Sequence, residues 1–143
     1  MERISRHHML MQMAMTASLR STCQRKQVGA LLAIDGRPIS IGYGGAPSHF
    51  PHCDESICDL TKPCTRTVHA EANAIAFAAR KGIATEGSAL YCTLAPCLDC
   101  AKLLINSGVL HVNYLETYRN SDGIILLATA GIIVSKLQLA SYA

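Results

Sequence analysis

The chain has no tryptophan, and its five tyrosines and two phenylalanines bring the aromatic content to only 5%. Few aromatic rings leave few platforms on which successive bases of a single nucleic-acid strand can stack. Charged residues are also sparse, at 16%, and the net charge of +3 falls well short of the dense Lys/Arg clusters of nucleic-acid binders. We therefore expect no nucleic-acid partner, and a small anionic ligand fits this balance better than a long polyanion.

Long apolar runs are missing as well, so the sequence predicts no membrane-spanning segment. Residues 9–19 follow several basic residues, as the apolar part of a signal peptide does, but Gln12, Thr16 and Ser18 interrupt them. Helical spacing instead predicts an amphipathic helix that covers the core. The predicted core-facing stripe consists of Ile4, His8, Met11, Met15 and Leu19.

The seven cysteines are an odd number, and two of them form a C-x-x-C pair, which does not fit the even-numbered framework of a small secreted disulfide protein. Metal-binding thiolates in a reducing cytoplasm are the better interpretation, so we expect a cytoplasmic protein. With 143 residues, half of them apolar, the chain can bury one sizeable core without disulfides. We predict a single domain over residues 1–143.

Apolar periodicity and turn residues predict the element order α-β-β-α-β-α-β-α-β. The dipeptide Asp35-Gly36 predicts a hairpin between the first two strands. Alternation of strands and helices in the second part predicts an α/β fold, a three-layer α/β/α sandwich over a mixed sheet of about five strands. The predicted strands cover 28–34, 39–43, 89–94, 109–116 and 132–137, and the helices after the first cover 69–80, 96–106 and 121–130.

Two short motifs carry the chemistry, His69-Ala70-Glu71 and Pro96-Cys97-Leu98-Asp99-Cys100. Together they match the H-x-E…P-C-x-x-C signature of zinc-dependent deaminases. Cys97 and Cys100 are three residues apart at a predicted helix start, so both sulfurs lie on one side, near the positive helix end that favours a thiolate. With His69 they give a catalytic zinc three protein ligands and leave the fourth position to water.

Glu71 lies roughly 200° around the helix from His69, which places it beside that water and not on the metal. It is predicted to take a proton from the water and to deliver protons to the ring nitrogen and to the departing ammonia. Neither motif alone is specific, because an isolated H-x-E is common and a C-x-x-C pair also occurs in thioredoxin-like redox sites. The redox alternative leaves His69 and Glu71 without a role.

Over nearly its whole length the chain resembles the deoxycytidylate (dCMP) deaminases of the zinc-dependent cytidine/deoxycytidylate deaminase superfamily. Residues 23–30, 42–47, 66–75 and 90–102 carry the resemblance. It implies a cytidine deaminase-like fold and hydrolysis of dCMP to dUMP and ammonia for thymidylate precursor supply, with dCTP as a further candidate substrate. It also implies a homohexamer that is activated by dCTP and inhibited by dTTP.

One position departs from the family pattern, because Gly44 stands where the family's turn carries an Asn that holds the sugar. Gly has no side chain to hydrogen-bond a hydroxyl. Either the backbone or another residue replaces that contact, or the preference among dCMP, dCTP and modified cytosine nucleotides differs. The resemblance implies substrate contacts at Arg25, Gly44, Ala70, Ala95, Pro96 and Tyr118, and effector contacts at Gly42, Tyr43 and Gly45. The cations available for the phosphate are Arg25, Lys26 and Arg119, with Tyr118 as a ring partner or hydroxyl donor.

Residues 44–67 have no clear periodicity, and so long a loop is unusual in a compact domain unless something functional orders it. Four cysteines remain for this purpose once Cys97, Cys100 and Cys92 are set aside, Cys92 being predicted to pack as a small hydrophobic residue. These four thiolates could hold a second, structural zinc that attaches the loop to the first helix. The set is Cys23, Cys53, Cys58 and Cys64, with His49 or His52 as a replacement for one thiol. The resemblance supports such a site near Cys23 and Cys53, whereas the alternative is free cysteines in a mobile substrate loop.

Two alternatives to a dCMP deaminase stay open. The nearest is a tRNA adenosine deaminase of the same superfamily, against which the weak basicity and the few aromatic residues argue. The other is a catalytically silent zinc module that binds nucleotides for regulation or assembly. The presence of Glu71 argues against this module, because a silent site has no use for that carboxylate.

Overall fold

The computed structural model describes residues 1–139, in which helices and strands follow one another in the predicted order. The elements are α1 (Arg6–Ser18), β1 (Gly29–Ile34), β2 (Arg37–Tyr43), α2 (Ala70–Arg80), β3 (Ala89–Leu94), α3 (Leu98–Asn106), β4 (His111–Glu116), α4 (Asp122–Thr129) and β5 (Ile133–Lys136). The predicted order is confirmed. The observed boundaries differ from the predicted ones by at most two residues, and α2 begins just after His69 and α3 just after Cys97.

One mixed sheet of five strands, in the order β2-β1-β3-β4-β5, organises the fold. Asp35 and Gly36 connect β1 to β2 with φ values of 52° and 71°, the geometry of the predicted two-residue hairpin turn. β1 is antiparallel to β2 and β3, whereas β3, β4 and β5 run parallel. The carboxyl ends of β3 and β4 therefore meet at one edge of the sheet, where the segments leading into α3 and α4 begin.

Helices cover both faces of the sheet, which confirms the predicted three-layer α/β/α sandwich. α2, α3 and α4 enclose the larger hydrophobic core on one face, and α1 encloses a smaller core on the other. Cys92 lies fully buried in the larger core, as predicted, and burial raises the pKa of its thiol well above the ordinary value. It therefore packs as a neutral apolar residue.

The buried face of α1 differs from the predicted stripe. His8 and Met11 are buried as predicted, but the prediction is wrong for Ile4, Met15 and Leu19, which are 38%, 41% and 74% exposed. The helix instead packs through Leu10, Met11, Ala14 and Ala17. Its position is set by Gly29 in β1, where a Cβ would lie only 2.0 Å from the Ala14 carbonyl oxygen. So close a helix–strand contact needs small residues on the helix, and this turns the bulkier side chains towards solvent.

The cysteines form no disulfide, since all seven have free thiols. Among residues 1–139, no helix combines the length and the apolar character that crossing a bilayer requires.

Candidate metal centre and active site

Three potential metal ligands converge where α2 and α3 begin. His69 and Cys97 are the N-cap residues of α2 and α3, with extended backbone and no capping side-chain hydrogen bond, and Cys100 lies in the first turn of α3. Nδ1 of His69 is 3.4 Å from Sγ of Cys97 and 3.5 Å from Sγ of Cys100. Within residues 1–139, these residues form the one group of three or more His, Cys, Asp or Glu side chains whose ligand atoms all lie within 4.8 Å of one another.

The electrostatics of this group suit a divalent cation. Hydrogen bonds from Cys100 and then from His69 lower the pKa of Cys97 to about 3. The same hydrogen bonds raise the pKa of Cys100 and bring that of His69 to about 9. Without a metal ion, the Cys97 thiolate thus favours the protonated forms of His69 and Cys100. A divalent cation bound by the same three atoms would displace these protons. Two thiols and one imidazole are a donor set that zinc prefers, so the residues fit a zinc ion with three protein ligands.

Glu71 lies beside this group, in the first turn of α2, and is only 4% exposed. Burial raises the pKa of its carboxyl group. A carboxyl group with a raised pKa can both accept and return a proton near neutral pH, which is the property of a general acid–base catalyst. The structure therefore places a buried carboxyl group with a raised pKa next to the three candidate ligands.

The family follows from comparison with known proteins. Residues 4–116 match the family model described as the cytidine and deoxycytidylate deaminase zinc-binding region. The chain belongs to the cytidine and deoxycytidylate deaminase family. The ComE operon protein 2 of Bacillus subtilis is 38% identical to it, over 97% of this chain and 75% of the relative. The deoxycytidylate deaminase of Enterobacteria phage T4 is 34% identical, with 80% of each chain covered.

A solved structure of the same family is similar in fold and sequence. The dCMP deaminase of the cyanophage S-TIM5, in complex with dCMP and dUMP, superimposes with a TM-score of 0.81 at 36% identity, over 89% of this chain and 93% of that chain. The predicted resemblance to dCMP deaminases and the predicted fold are thereby confirmed.

The glycine-rich end of β2 runs past the start of α2. Asn73 holds it there, because its side-chain amide donates to the Tyr43 carbonyl at 2.8 Å. Gly45 pairs with Val68, the residue before His69, through two backbone hydrogen bonds. Sequence reasoning gave Asn73 no role, although an Asn among the alanines of a helix is a poor helix former and is a signal for a side-chain contact.

Two glycines of this segment have different surroundings. A Cβ on Gly42 would lie 2.2 Å from the Ala70 carbonyl oxygen, so Gly42 is buried against the backbone of α2. A Cβ on Gly44 would meet nothing closer than the Ser21 hydroxyl at 3.6 Å, an ordinary contact distance. A Cβ therefore fits at Gly44 but not at Gly42. The predicted effector contacts at Gly42, Tyr43 and Gly45 stay a prediction.

Candidate substrate residues also lie at the carboxyl ends of β3 and β4. Ala95 is buried there, and its amide donates to the Glu116 carbonyl at 2.8 Å. The Glu116 carboxylate pairs with the Lys26 ammonium group at 2.7 Å. Tyr118 and Arg119 follow β4, with the guanidinium carbon 5.4 Å from the ring centroid. Lys26 is thus close in structure to the carboxyl end of β4, and Tyr118 and Arg119 are close to it in sequence. This end of β4 pairs with the end of β3, which leads to Cys97.

Arg25 points elsewhere. Its guanidinium group donates to the carbonyl oxygens of Asp59, at 2.8 Å, and of Lys62. On the other side of the loop, Arg66 donates to the Pro51 carbonyl at 2.6 Å. Turns around Asp54 and Asp59, whose carboxylates accept backbone N–H bonds, complete the long loop. Arg25 therefore holds the loop in this structure, and a phosphate contact by Arg25 stays a prediction.

The loop cysteines are only partly brought together. Sγ of Cys64 is 3.3 Å from the Thr67 hydroxyl, and Sγ of Cys53 is 4.0 Å from the same oxygen. In the chain up to residue 139, neither these two nor Cys23 and Cys58 join a group of three ligand atoms within 4.8 Å. The predicted second zinc stays a prediction.

Proposed function

We propose that the protein catalyses the hydrolytic deamination of dCMP to dUMP and ammonia, as one catalytic domain over residues 1–143. The observation that carries the proposal is the convergence of His69, Cys97 and Cys100 beside the buried carboxyl group of Glu71. Membership of the deaminase family and the likeness to a dCMP deaminase that binds dCMP and dUMP support this substrate.

Nδ1 of His69 and the sulfurs of Cys97 and Cys100 are the atoms that would hold the zinc ion. Bound there, zinc supplies the Lewis acidity by which water becomes a nucleophile near neutral pH. Glu71 accepts the proton that this water loses when it attacks C4 of cytosine. The carboxyl group passes that proton to the ring nitrogen and, as a carboxylate again, takes the remaining proton of the hydroxyl group now on C4. It delivers this proton to the amine, so the C4–N bond breaks, ammonia leaves and the C4 carbonyl forms. Burial raises the pKa of this carboxyl group, which favours the protonated form that it takes between the two deliveries.

The base and sugar would contact Gly44, Ala70, Ala95 and Pro96, as the resemblance implies. Ala70 follows His69 in the chain, and Ala95 and Pro96 precede Cys97. For the phosphate we assign Lys26, Arg119 and Tyr118, because Lys26 pairs with Glu116 at the end of β4 and the other two follow that strand, whereas Arg25 is turned to the loop carbonyls. The family resemblance extends the proposal to a homohexamer regulated by dCTP and dTTP through Gly42, Tyr43 and Gly45. The resemblance also extends the proposal to a structural zinc on the loop cysteines. Metal analysis should then give two zinc ions per chain, and a content of one zinc per chain would contradict the second site.

The test of the reaction is Glu71→Gln, assayed by ammonia release from dCMP. Loss of the proton carrier should lower turnover by at least about 10²-fold while the zinc content stays unchanged. Glu86→Gln is the matched control, since Glu86 is exposed and precedes β3, at the opposite end of that strand from Pro96. Deamination by Glu71→Gln at the wild-type rate would contradict the assigned role.

The substrate is tested with a panel of cytidine, CMP, dCMP and dCTP, each with and without dCTP or dTTP as effector. Gly44→Asn is included because it restores the family's residue at a position where a Cβ meets no atom closer than 3.6 Å. If Gly44 changes the nucleotide preference, the variant should favour dCMP more strongly than the wild type does. Equal preference in the two proteins would mean that another group has replaced the family's Asn.

The two alternatives are not favoured. The relatives compared are dCMP deaminases or their homologues, and the chain has few charges and few aromatic rings for a tRNA substrate. A silent nucleotide-binding module has no need for a buried carboxyl group beside the candidate ligands.

A further inference from the structure

Gly123 lies in the first turn of α4, against the backbone that carries Cys97. A Cβ added to Gly123 would lie 2.3 Å from the Pro96 carbonyl oxygen and 2.9 Å from both the carbonyl carbon and oxygen of Cys97. All three atoms belong to the main chain, so they cannot rotate away as the end of a flexible side chain can. Only a glycine allows α4 to approach this peptide so closely.

Backbone conformation does not explain this glycine. Gly123 lies inside an α-helix, and its φ is not positive, unlike that of Gly131 just beyond α4. In a helix interior, glycine is a worse helix former than alanine. The close contact with Pro96 and Cys97 is therefore the structural reason for a glycine at this position.

The contacted peptide has little freedom to move. Pro96 is fully buried, the Ala95 amide is bonded to Glu116 in β4, and the Cys97 carbonyl accepts the first hydrogen bond of α3 from Ala101 at 2.9 Å. A Cβ on Gly123 would therefore displace the whole Pro96–Cys97 peptide, and the Cys97 side chain with it. Its sulfur, 3.4 Å from Nδ1 of His69, would move relative to the other two ligand atoms.

We propose that Gly123 is a positioning residue for the metal centre, which sets the place of Cys97 relative to His69 and Cys100 through direct backbone contact. The inference rests on the proposed zinc site, and it adds α4 to α2 and α3 as an element that determines the geometry of that site. Groups that orient metal ligands from outside change metal affinity by about 10- to 100-fold when they are altered. Gly123→Ala should have an effect of this size on zinc retention.

The experiment measures zinc release from the purified, zinc-loaded full chain to a chromogenic chelator, together with the thermal midpoint. Gly29→Ala is the matched control, because a Cβ there would lie 2.0 Å from the Ala14 carbonyl oxygen, a contact of the same kind on the opposite face of the sheet. Leu127→Ala is the control within α4, since Leu127 is fully buried and packs in the core.

Gly123→Ala should release zinc at least about tenfold faster than the wild type. Gly29→Ala and Leu127→Ala should release zinc at the wild-type rate, even if their thermal midpoints fall as far as that of Gly123→Ala. A wild-type release rate in Gly123→Ala, or equal acceleration in all three variants, would overturn the inference. If Gly123→Ala is insoluble, zinc added to the growth medium should raise its soluble yield more than that of Gly29→Ala, and equal responses would overturn the inference.

Failure of the proposed reaction is distinguishable from failure of this inference. A wild-type chain that holds zinc but does not deaminate dCMP contradicts the proposed reaction and leaves the release measurement intact. A wild-type chain that binds no zinc overturns both.

Discussion

The metal centre and the long loop of residues 44–67 adjoin each other in sequence, but different interactions fix their shapes. His69 and Cys97 are fixed by the first backbone hydrogen bonds of α2 and α3, which their carbonyls accept from Asn73 and Ala101, both at 2.9 Å. The loop depends on Arg25, whose side chain reaches carbonyls 34 and 37 residues away. The backbone of these two residues is thus fixed locally, at helix starts, whereas the loop also depends on a long side chain that reaches it from outside.

The largest expected effect separates a cysteine of the metal centre from a cysteine of the loop. Cys100→Ser removes one of three converging ligands, so the catalytic zinc should be lost and turnover of dCMP should fall by at least about 10³-fold, since unbound water returns to a pKa of about 15.7. Cys58→Ser should keep that zinc and most of the activity, because Cys58 joins no ligand group within residues 1–139. Zinc analysis and ammonia release measure both.

Cys58→Ser also reports on the second zinc. If the loop holds a structural ion, the variant should lose one zinc per chain and keep the catalytic one. Loss of activity equal to that of Cys100→Ser would show that the two regions are not independent.

A second pair of variants compares the end of β2 with the first residue of the loop. Gly42→Ala forces a Cβ to 2.2 Å from the Ala70 carbonyl, and overpacking of this kind lowers the free energy of unfolding by about 1–3 kcal/mol. Gly44→Ala meets no contact closer than 3.6 Å, so it should not lower the free energy of unfolding and should raise it by at most about 1 kcal/mol. Urea unfolding of both proteins measures the difference, and equal losses would contradict the assigned packing.

The same contrast explains what could be predicted from the sequence. The spacing of His69, Glu71, Cys97 and Cys100 is local to two helix starts, so the motif and the helical period were sufficient to predict the group. The buried face of α1 was not predictable in full, because it depends on the close approach of Gly29 to Ala14, two residues on different elements. The contacts of Gly123 and of Arg25 likewise exist only once distant segments are folded together.

A third prediction concerns a substitution that should destabilise only the loop of residues 44–67. Arg25→Ala removes two hydrogen bonds to carbonyls of the loop, so limited proteolysis within residues 44–67 should become several-fold faster while the thermal midpoint changes little. Arg37→Ala is the control, because Arg37 is exposed on β2. If Arg25 instead binds the phosphate, proteolysis will be unchanged and the KM for dCMP will rise without a matching rise for deoxycytidine.

The smallest expected effect compares the two thiols whose pKa is lowered, Cys97 and Cys64. In the metal centre, Cys100 and His69 lower the pKa of Cys97 to about 3, whereas in the loop hydrogen bonds from Thr67 lower the pKa of Cys64 only to about 7. Because the lowered pKa favours the thiolate, alkylation of Cys64 in chelator-treated protein should rise with a midpoint near pH 7.

Thr67→Val removes the hydroxyl group, so that midpoint should move to higher pH and the alkylation rate at pH 7 should fall. Mass spectrometry of the modified peptide measures the rate at Cys64 alone. A midpoint that does not move would mean that the backbone N–H groups of Thr67 and Arg66 suffice to stabilise the thiolate. The loop would then resemble the metal centre in using main-chain geometry, and the contrast between the two regions would be confined to Arg25.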